Sequence, residues 1–265
     1  MTLSKTERMI AEKEGAIGWI TFNNPARHNA VSMDMWEALF DIVSDYGADD
    51  AIRVIVLKGA GDKAFVSGAD ISEFEQKRSS PETTQAYHAL SHKASVALKD
   101  IGKPTIAMIR GYCIGGGVST ALSCDIRLAA ESAKFGVPAA KLGLGYEYDG
   151  VRKLVDVVGP SFAKEIFFTA RQFTATEALA MGLINRMLPD DRLEACVRDY
   201  AQSIAANAPL TVGSIKTIVG HAVMDESQRD LALCQQAVDR CFASADYAEG
   251  RRAFMEKRKP NFTGR

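Results

Sequence analysis

The stretch from Pro104 to Asp125, PTIAMIRGYCIGGGVSTALSCD, limits what this chain can become more than any other part of it. Thr105 to Ile109 is a brief, partly β-branched apolar run, which predicts a buried strand. Gly111 follows, then Gly115-Gly116-Gly117, then Val118, Ala121 and Leu122 at helical spacing. A strand, a glycine turn and a helix start leave backbone N–H groups without intrahelical partners. They sit at the positive end of the helix dipole, where an anion or a polarised oxygen is favoured. Glycines carry no Cβ, so such an oxygen can come close.

Four readings are open for this turn. A phosphate loop needs Gly-Lys-Ser/Thr, and no lysine follows Gly117. A dinucleotide fingerprint counted from Gly115 needs a third glycine where Thr120 stands. A purely structural turn needs only tight packing. The fourth reading is an oxyanion site made of main-chain N–H groups. A second signal bears on it: Ala64 to Phe74 reads AFVSGADISEF, a strand running into Ser-Gly-Ala-Asp before an expected helix from Ile71. That arrangement exposes the Ala69 N–H. Two such donors from two strand ends can converge on one oxygen and stabilise a thioester carbonyl as it becomes an enolate. Losing one such donor typically costs roughly 2.7–4 kcal/mol.

The remaining chain sets the frame. Its 265 residues suffice for a sizeable core, and a 47% hydrophobic, 25% charged composition is ordinary for a globular protein. A net charge of −1 argues against a nucleic-acid surface or a polybasic membrane anchor. The apolar runs are short for a membrane span, and the charged start MTLSKTERMIAEKEG lacks a signal core. Cysteines 113, 124, 196, 234 and 241 show no C-x-x-C spacing, which points to reduced thiols and a cytoplasmic location.

In chain order, Ile10–Glu14 and Ala16–Phe22 read as a hairpin around Gly15, ended by Asn23-Asn24-Pro25. An amphipathic helix with Met35, Leu39, Ile42 and Val43 on one side follows, with Ser32 as candidate N-cap. Strands are expected at Val54–Leu57, Phe65–Ser67, Ile126–Ala129 and Ala133–Phe135, and a helix at Thr83–Lys99. The alternation argues for an α/β fold with mainly parallel pairing. Gly136 to Gly150 is turn-rich. Beyond it helical patterns dominate: 151–158, 161–169, 174–181, 193–206, 210–222, 227–242 and 246–257.

SGADI, GYCIGGG, SCDIRLAAESAKFG and FFTARQFTATEALAMGLINRM together resemble the crotonase (enoyl-CoA hydratase/isomerase) superfamily, over nearly the whole chain from about Gly15. The resemblance implies a spiral of ββα repeats over residues 1–200 that binds acyl-coenzyme A. It implies a helical region over 201–265 that contributes to a homotrimer or a dimer of trimers. It implies coenzyme A as part of the substrate, with no permanently bound cofactor and no metal. Carried over by position, Ala69 and Gly116 match the oxyanion-hole donors. NPARHNA matches the family's NPxxxNA segment, which places Ala26, Arg27 and His28 along coenzyme A, with Gly68, Asp70 and Ile71 of SGADI nearby. Phe254 and Lys257 would approach the nucleotide of a neighbouring subunit.

Several positions depart from the family pattern. Where its hydratases carry two glutamates, this chain has Ser119 and Ala139. Hydration needs a base for water and an acid for Cα; Ala139 offers neither, and Ser119 has no evident base. Where hydratases have a turn like PGAGGTQRL, Tyr146 to Leu154 reads YEYDGVRKL. Tyr146 matches the tyrosine of methylmalonyl-CoA decarboxylase-like members, and Glu147 falls where dehalogenase-like members place an aspartate. The resemblance therefore implies a lyase acting through an enolate, with Tyr146, Glu147 and Ser119 beside it. Hydration by another residue set, decarboxylation, hydrolysis and non-catalytic binding remain alternatives. A solvated YEYD loop with Asp149 as a cap is the plainer reading. Likewise, His88 and His92 read as a solvated helix face, Asp70 as the cap of the helix after it, and Phe167-Phe168 as core or subunit interface.

Overall fold

The computed structural model describes residues 6–70 and 81–265, with side-chain detail in the second span from residue 85. The helix expected from Ile71 and Ile71 itself lie outside the described residues.

Strands β1 (Met9–Glu14) and β2 (Ile17–Phe22) form the expected antiparallel hairpin. Helix α1 spans Met33–Ala48 and strand β3 Val54–Gly59. Strand β4 is Ala64–Val66 and helix α2 Pro81–Asp100. Strand β5 (Thr105–Ile109) is followed at once by β6 (Tyr112–Ile114) and then by helix α3 (Gly116–Leu122). Strands β7 (Ile126–Ala130) and β8 (Lys134–Gly136) come next, then helix α4 (Tyr148–Thr169). Strand β9 (Phe173–Thr174), helix α5 (Ala175–Ala180) and strand β10 (Arg186–Leu188) lead to α6 (Leu193–Ala205). Helices α7 (Pro209–Ala222), α8 (Leu231–Phe242) and α9 (Ala245–Met255) complete the chain.

The strands form two sheets, ordered β1-β2-β3-β5-β7-β10 and β4-β6-β8-β9. Pairing is parallel except in the β1–β2 hairpin and between β8 and β9. The larger sheet is covered on both faces, so its inner strands are continuous apolar runs. Side chains alternate across it with a period of two. Ile20, Phe22, Ile55 and Leu57 join the main core with α1, while Ile17, Trp19, Val54 and Val56 pack with Leu193, Val197 and Ala201 of α6.

Several local expectations change. The glycine stretch holds the extra strand β6, which the flanking Gly111 and Gly115 disguise as turn. Gly136–Gly150 is less irregular than expected: Pro138–Leu142 is a 3-10 helix and α4 begins at Tyr148. The two helices expected on either side of residue 160 are present and together make up α4, meeting at a kink where Gly159 is non-helical (φ 75°) just before Pro160. Ser32 does occupy the N-cap of α1, but its hydroxyl donates to Asp34 Oδ1 instead of accepting from the helix.

Candidate active site

Parallel strands β4 and β6 are neighbours, with Ala64 opposite Tyr112 and Val66 opposite Cys113. Both therefore end at the same sheet edge, and the chain just beyond each end meets the other. A Cβ built on Gly116 would lie 3.6 Å from Gly68 Cα and 3.9 Å from Ala69 N. The Ala69 and Gly116 amides are thus side by side, although separated widely in sequence.

Local sequence explains the approach. Gly115, at φ 54°, turns the chain from β6 into α3 in a conformation costly for other residues. At Gly117 an added Cβ would fall 2.0 Å from Val66 O, so only glycine lets α3 press onto β4. On the other side, Val31 N donates to Gly68 O (2.9 Å) and Asp70 N to Val31 O (3.1 Å), which clamps Gly68-Ala69-Asp70 from both sides. The Ala69 N–H is left pointing away from that bridge, and the Gly116 N–H is in the first turn of α3, where no helical acceptor exists. Among the described residues neither has an acceptor.

Both amides open into a cavity of about 300 Å³. Ser119, Tyr146, Glu147 and Gly68 line it too, so five of the sequence-predicted catalytic positions share one space. Leu142 and Leu144, largely exposed, and Val137 supply apolar wall, while Ala139 brings a methyl group. The Tyr146 ring packs edge-on against Phe167 at 4.9 Å, so this part of YEYD is not a solvated loop, and Phe167 backs the cavity wall. Burial pushes the Tyr146 phenol above its ordinary value, which keeps it protonated at neutral pH.

The histidines lie on a helix face as expected, with His92 solvent-exposed and His88 half-buried, and that face borders the cavity. His88, Ser91, His92 and Ser95 recur at helical spacing on the side of α2 that faces the cavity. His92 Nε2 lies 3.5 Å from Asp149 Oδ2 across the cavity mouth. Asp149 is therefore not the cap of α4; Glu147 occupies that position, without a side-chain cap bond. Lys153, one turn after Asp149, donates to Ser123 Oγ at 3.2 Å. Burial lowers its pKa, the nearby Lys99 charge adds to this, and Asp149 and Asp100 oppose it. Helical spacing alone was the signal for these residues, and it is the same for a solvent-facing stripe.

The remaining predicted positions lie at or beyond the rim. Ala26 and Arg27 are in an exposed 3-10 turn (Pro25–Arg27), with His28 as its left-handed cap. Arg27 O accepts from Ser67 Oγ at 3.3 Å, and the His28 ring meets Tyr112 at 6.0 Å, so this segment borders the cavity. Asp70 is buried and accepts from Arg27 Nη1 at 2.8 Å, a tie to the rim, while the helix it was expected to cap lies outside the described residues. Phe254 and Lys257 are not brought to the cavity of their own chain; Phe254 lines a separate apolar groove with Ile215, Phe242, Tyr247 and Phe262. Among the described residues no His, Cys, Asp or Glu cluster suits a metal ion.

Comparison with known proteins agrees with this geometry. Residues 12–265 match the family model described as enoyl-CoA hydratase/isomerase. The chain is 34% identical to the short-chain-enoyl-CoA hydratase of Clostridium acetobutylicum, over 95% of either protein. It is 35% identical to the crotonyl-CoA hydratase of Syntrophomonas wolfei, over 97% of this chain and 98% of that one. Among solved structures, an enoyl-CoA hydratase/carnithine racemase from Magnetospirillum magneticum superimposes with a TM-score of 0.93 at 39% identity, covering 99% of this chain and 98% of that one.

Proposed function

Because the chain belongs to the enoyl-CoA hydratase/isomerase family, we propose that it binds an acyl-coenzyme A thioester with its carbonyl oxygen between the Ala69 and Gly116 N–H groups. The convergence of those two amides at one cavity carries the reading. Preorganised donors that meet charge as it develops lower the barrier to forming an enolate. Coenzyme A would run past Ala26, Arg27 and His28 at the rim, with Gly68, Asp70 and Ile71 close by. Phe254 and Lys257 would reach it from a neighbouring subunit of a trimer or a dimer of trimers.

The chemistry proposed is that of a lyase without a two-glutamate mechanism. Ser119 and Ala139 cannot divide the tasks of base and acid. Tyr146, whose phenol keeps its proton, is suited to donating, and Glu147 to handling a departing group. The hydratase names of the relatives favour a second reading, hydration by another residue set. An assay panel separates these readings. Lyase chemistry without the glutamates predicts slow or absent hydration of crotonyl-coenzyme A and turnover of a thioester such as methylmalonyl-coenzyme A. Rapid hydration of crotonyl-coenzyme A would overturn it in favour of the second reading. Binding of every thioester without turnover would mark the protein as an acyl-coenzyme A binder.

A further inference from the structure

From a saturated thioester an enolate forms only if some group takes the Cα proton, and among the described residues the cavity holds few groups suited to it. Tyr146 already carries its proton. Ser119 has no base among its described contacts. The Lys153 ammonium, held at Ser123, is a donor without a free pair. Ala139 is inert. Glu147 has a carboxylate but, among the described residues, no side-chain partner to orient it.

His92 differs from all of these, and from His88 on the same face, which has no carboxylate partner among the described residues. It stands on the cavity-facing side of α2 at the mouth, 55% exposed, and its Nε2 lies 3.5 Å from Oδ2 of the 67% exposed Asp149 on the opposing helix α4. Histidine is the side-chain type that exchanges a proton near neutrality. A carboxylate at one ring nitrogen orients the ring and stabilises the imidazolium, which leaves the other nitrogen for the substrate. The two walls that carry this pair, α2 and the first turn of α4, face each other across the space where the acyl chain must lie.

We propose that His92 is the catalytic base at Cα and that Asp149 is its positioning residue. This rests on the oxyanion reading above. The neutral imidazole takes the Cα proton. The C–H electron pair moves into the Cα–carbonyl bond, and the carbonyl π pair moves onto the oxygen held by the Ala69 and Gly116 amides. Asp149 balances the imidazolium. Returning the proton to Cα regenerates the thioester, so a saturated acyl chain exchanges its α hydrogen with solvent and no other reactant is needed.

The test follows that exchange directly, by proton NMR of butyryl-coenzyme A in deuterium oxide with the intact protein. The wild-type protein is expected to wash deuterium into Cα. His92→Ala is expected to slow this by about 10²-fold or more, the usual weight of a general base, and added imidazole to restore part of the rate. Asp149→Asn is expected to lower the rate more than it lowers affinity, which a merely structural contact would not do. Circular dichroism and melting temperature establish that each variant is folded, and His92→Gln serves as a second variant if His92→Ala is not. A folded His92 variant that exchanges at the wild-type rate overturns the base assignment alone, as does a loss in folded His92→Ala that imidazole does not repair. Absence of exchange in the wild-type protein also overturns the base assignment, and the oxyanion reading falls only if the thioester panel above shows neither binding nor turnover.

Discussion

The smallest decisive parts of this molecule are glycines and main-chain amides. At Gly117 a single methyl group would sit 2.0 Å from Val66 O. Gly117→Ala must therefore push α3 away from β4, at an overpacking cost of about 1–3 kcal/mol. Urea denaturation should show that loss, and exchange at Cα should fall with it because Gly116 moves too. The two strand ends that bring Ala69 and Gly116 together were legible as glycine turns, and the family resemblance picked out which amides to watch. His92 and Asp149 were not legible. Each is ordinary within its own helix, and their meaning comes from a partner far along the chain. The Arg27 partner of Asp70 was hidden for the same reason, since it lies in another segment.

Long elements were recovered and short ones only in part. The hairpin and helices α1, α2, α6 and α7 lie close to where periodicity puts them. Strands β6, β9 and β10 are two or three residues each and were missed, whereas β4 and β8, equally short, were found within one residue because each carries a compact apolar signal before a glycine. Helix α5 shows a local device with a measurable signature. Thr174 Oγ1 accepts from Glu177 N at 3.2 Å, while the Glu177 carboxylate accepts from Thr174 N at 2.7 Å and from Arg171 at 2.8 Å. The Thr174 amide first, then Arg171, holds Glu177 down to about 2 from 4.5. A carboxylate held low in the folded state favours folding above its unfolded value, and that contribution is lost as pH falls towards the folded value. Melting temperatures followed from pH 4.5 down to about 2 should therefore fall less steeply in Glu177→Gln than in the wild-type protein.

At the scale of the whole molecule, the α/β architecture and parallel pairing were legible, because buried parallel strands leave continuous apolar runs. The division into two sheets was not, since the second is built of short strands whose identity depends on their neighbours. The last helices leave a large apolar surface in the single chain: Phe254 and Met255 are 82% and 81% exposed, beside the groove lined by Phe242 and Tyr247. Surfaces of that kind mark contacts between proteins. The proposed trimer predicts that sedimentation gives an oligomer, and that Phe242→Asp together with Phe254→Asp shifts it towards monomer while α6 and the sheets stay folded by circular dichroism. One consequence reaches beyond any such variant. The hydrogens assigned to polarise the thioester belong to peptide bonds, and gene-encoded exchange of side chains leaves peptide bonds in place. A survey of alanine variants would pass over residues 69 and 116 in silence. Swapping a single backbone nitrogen for an ester oxygen, by chemical ligation, would remove one of those hydrogens and leave every side chain as it was.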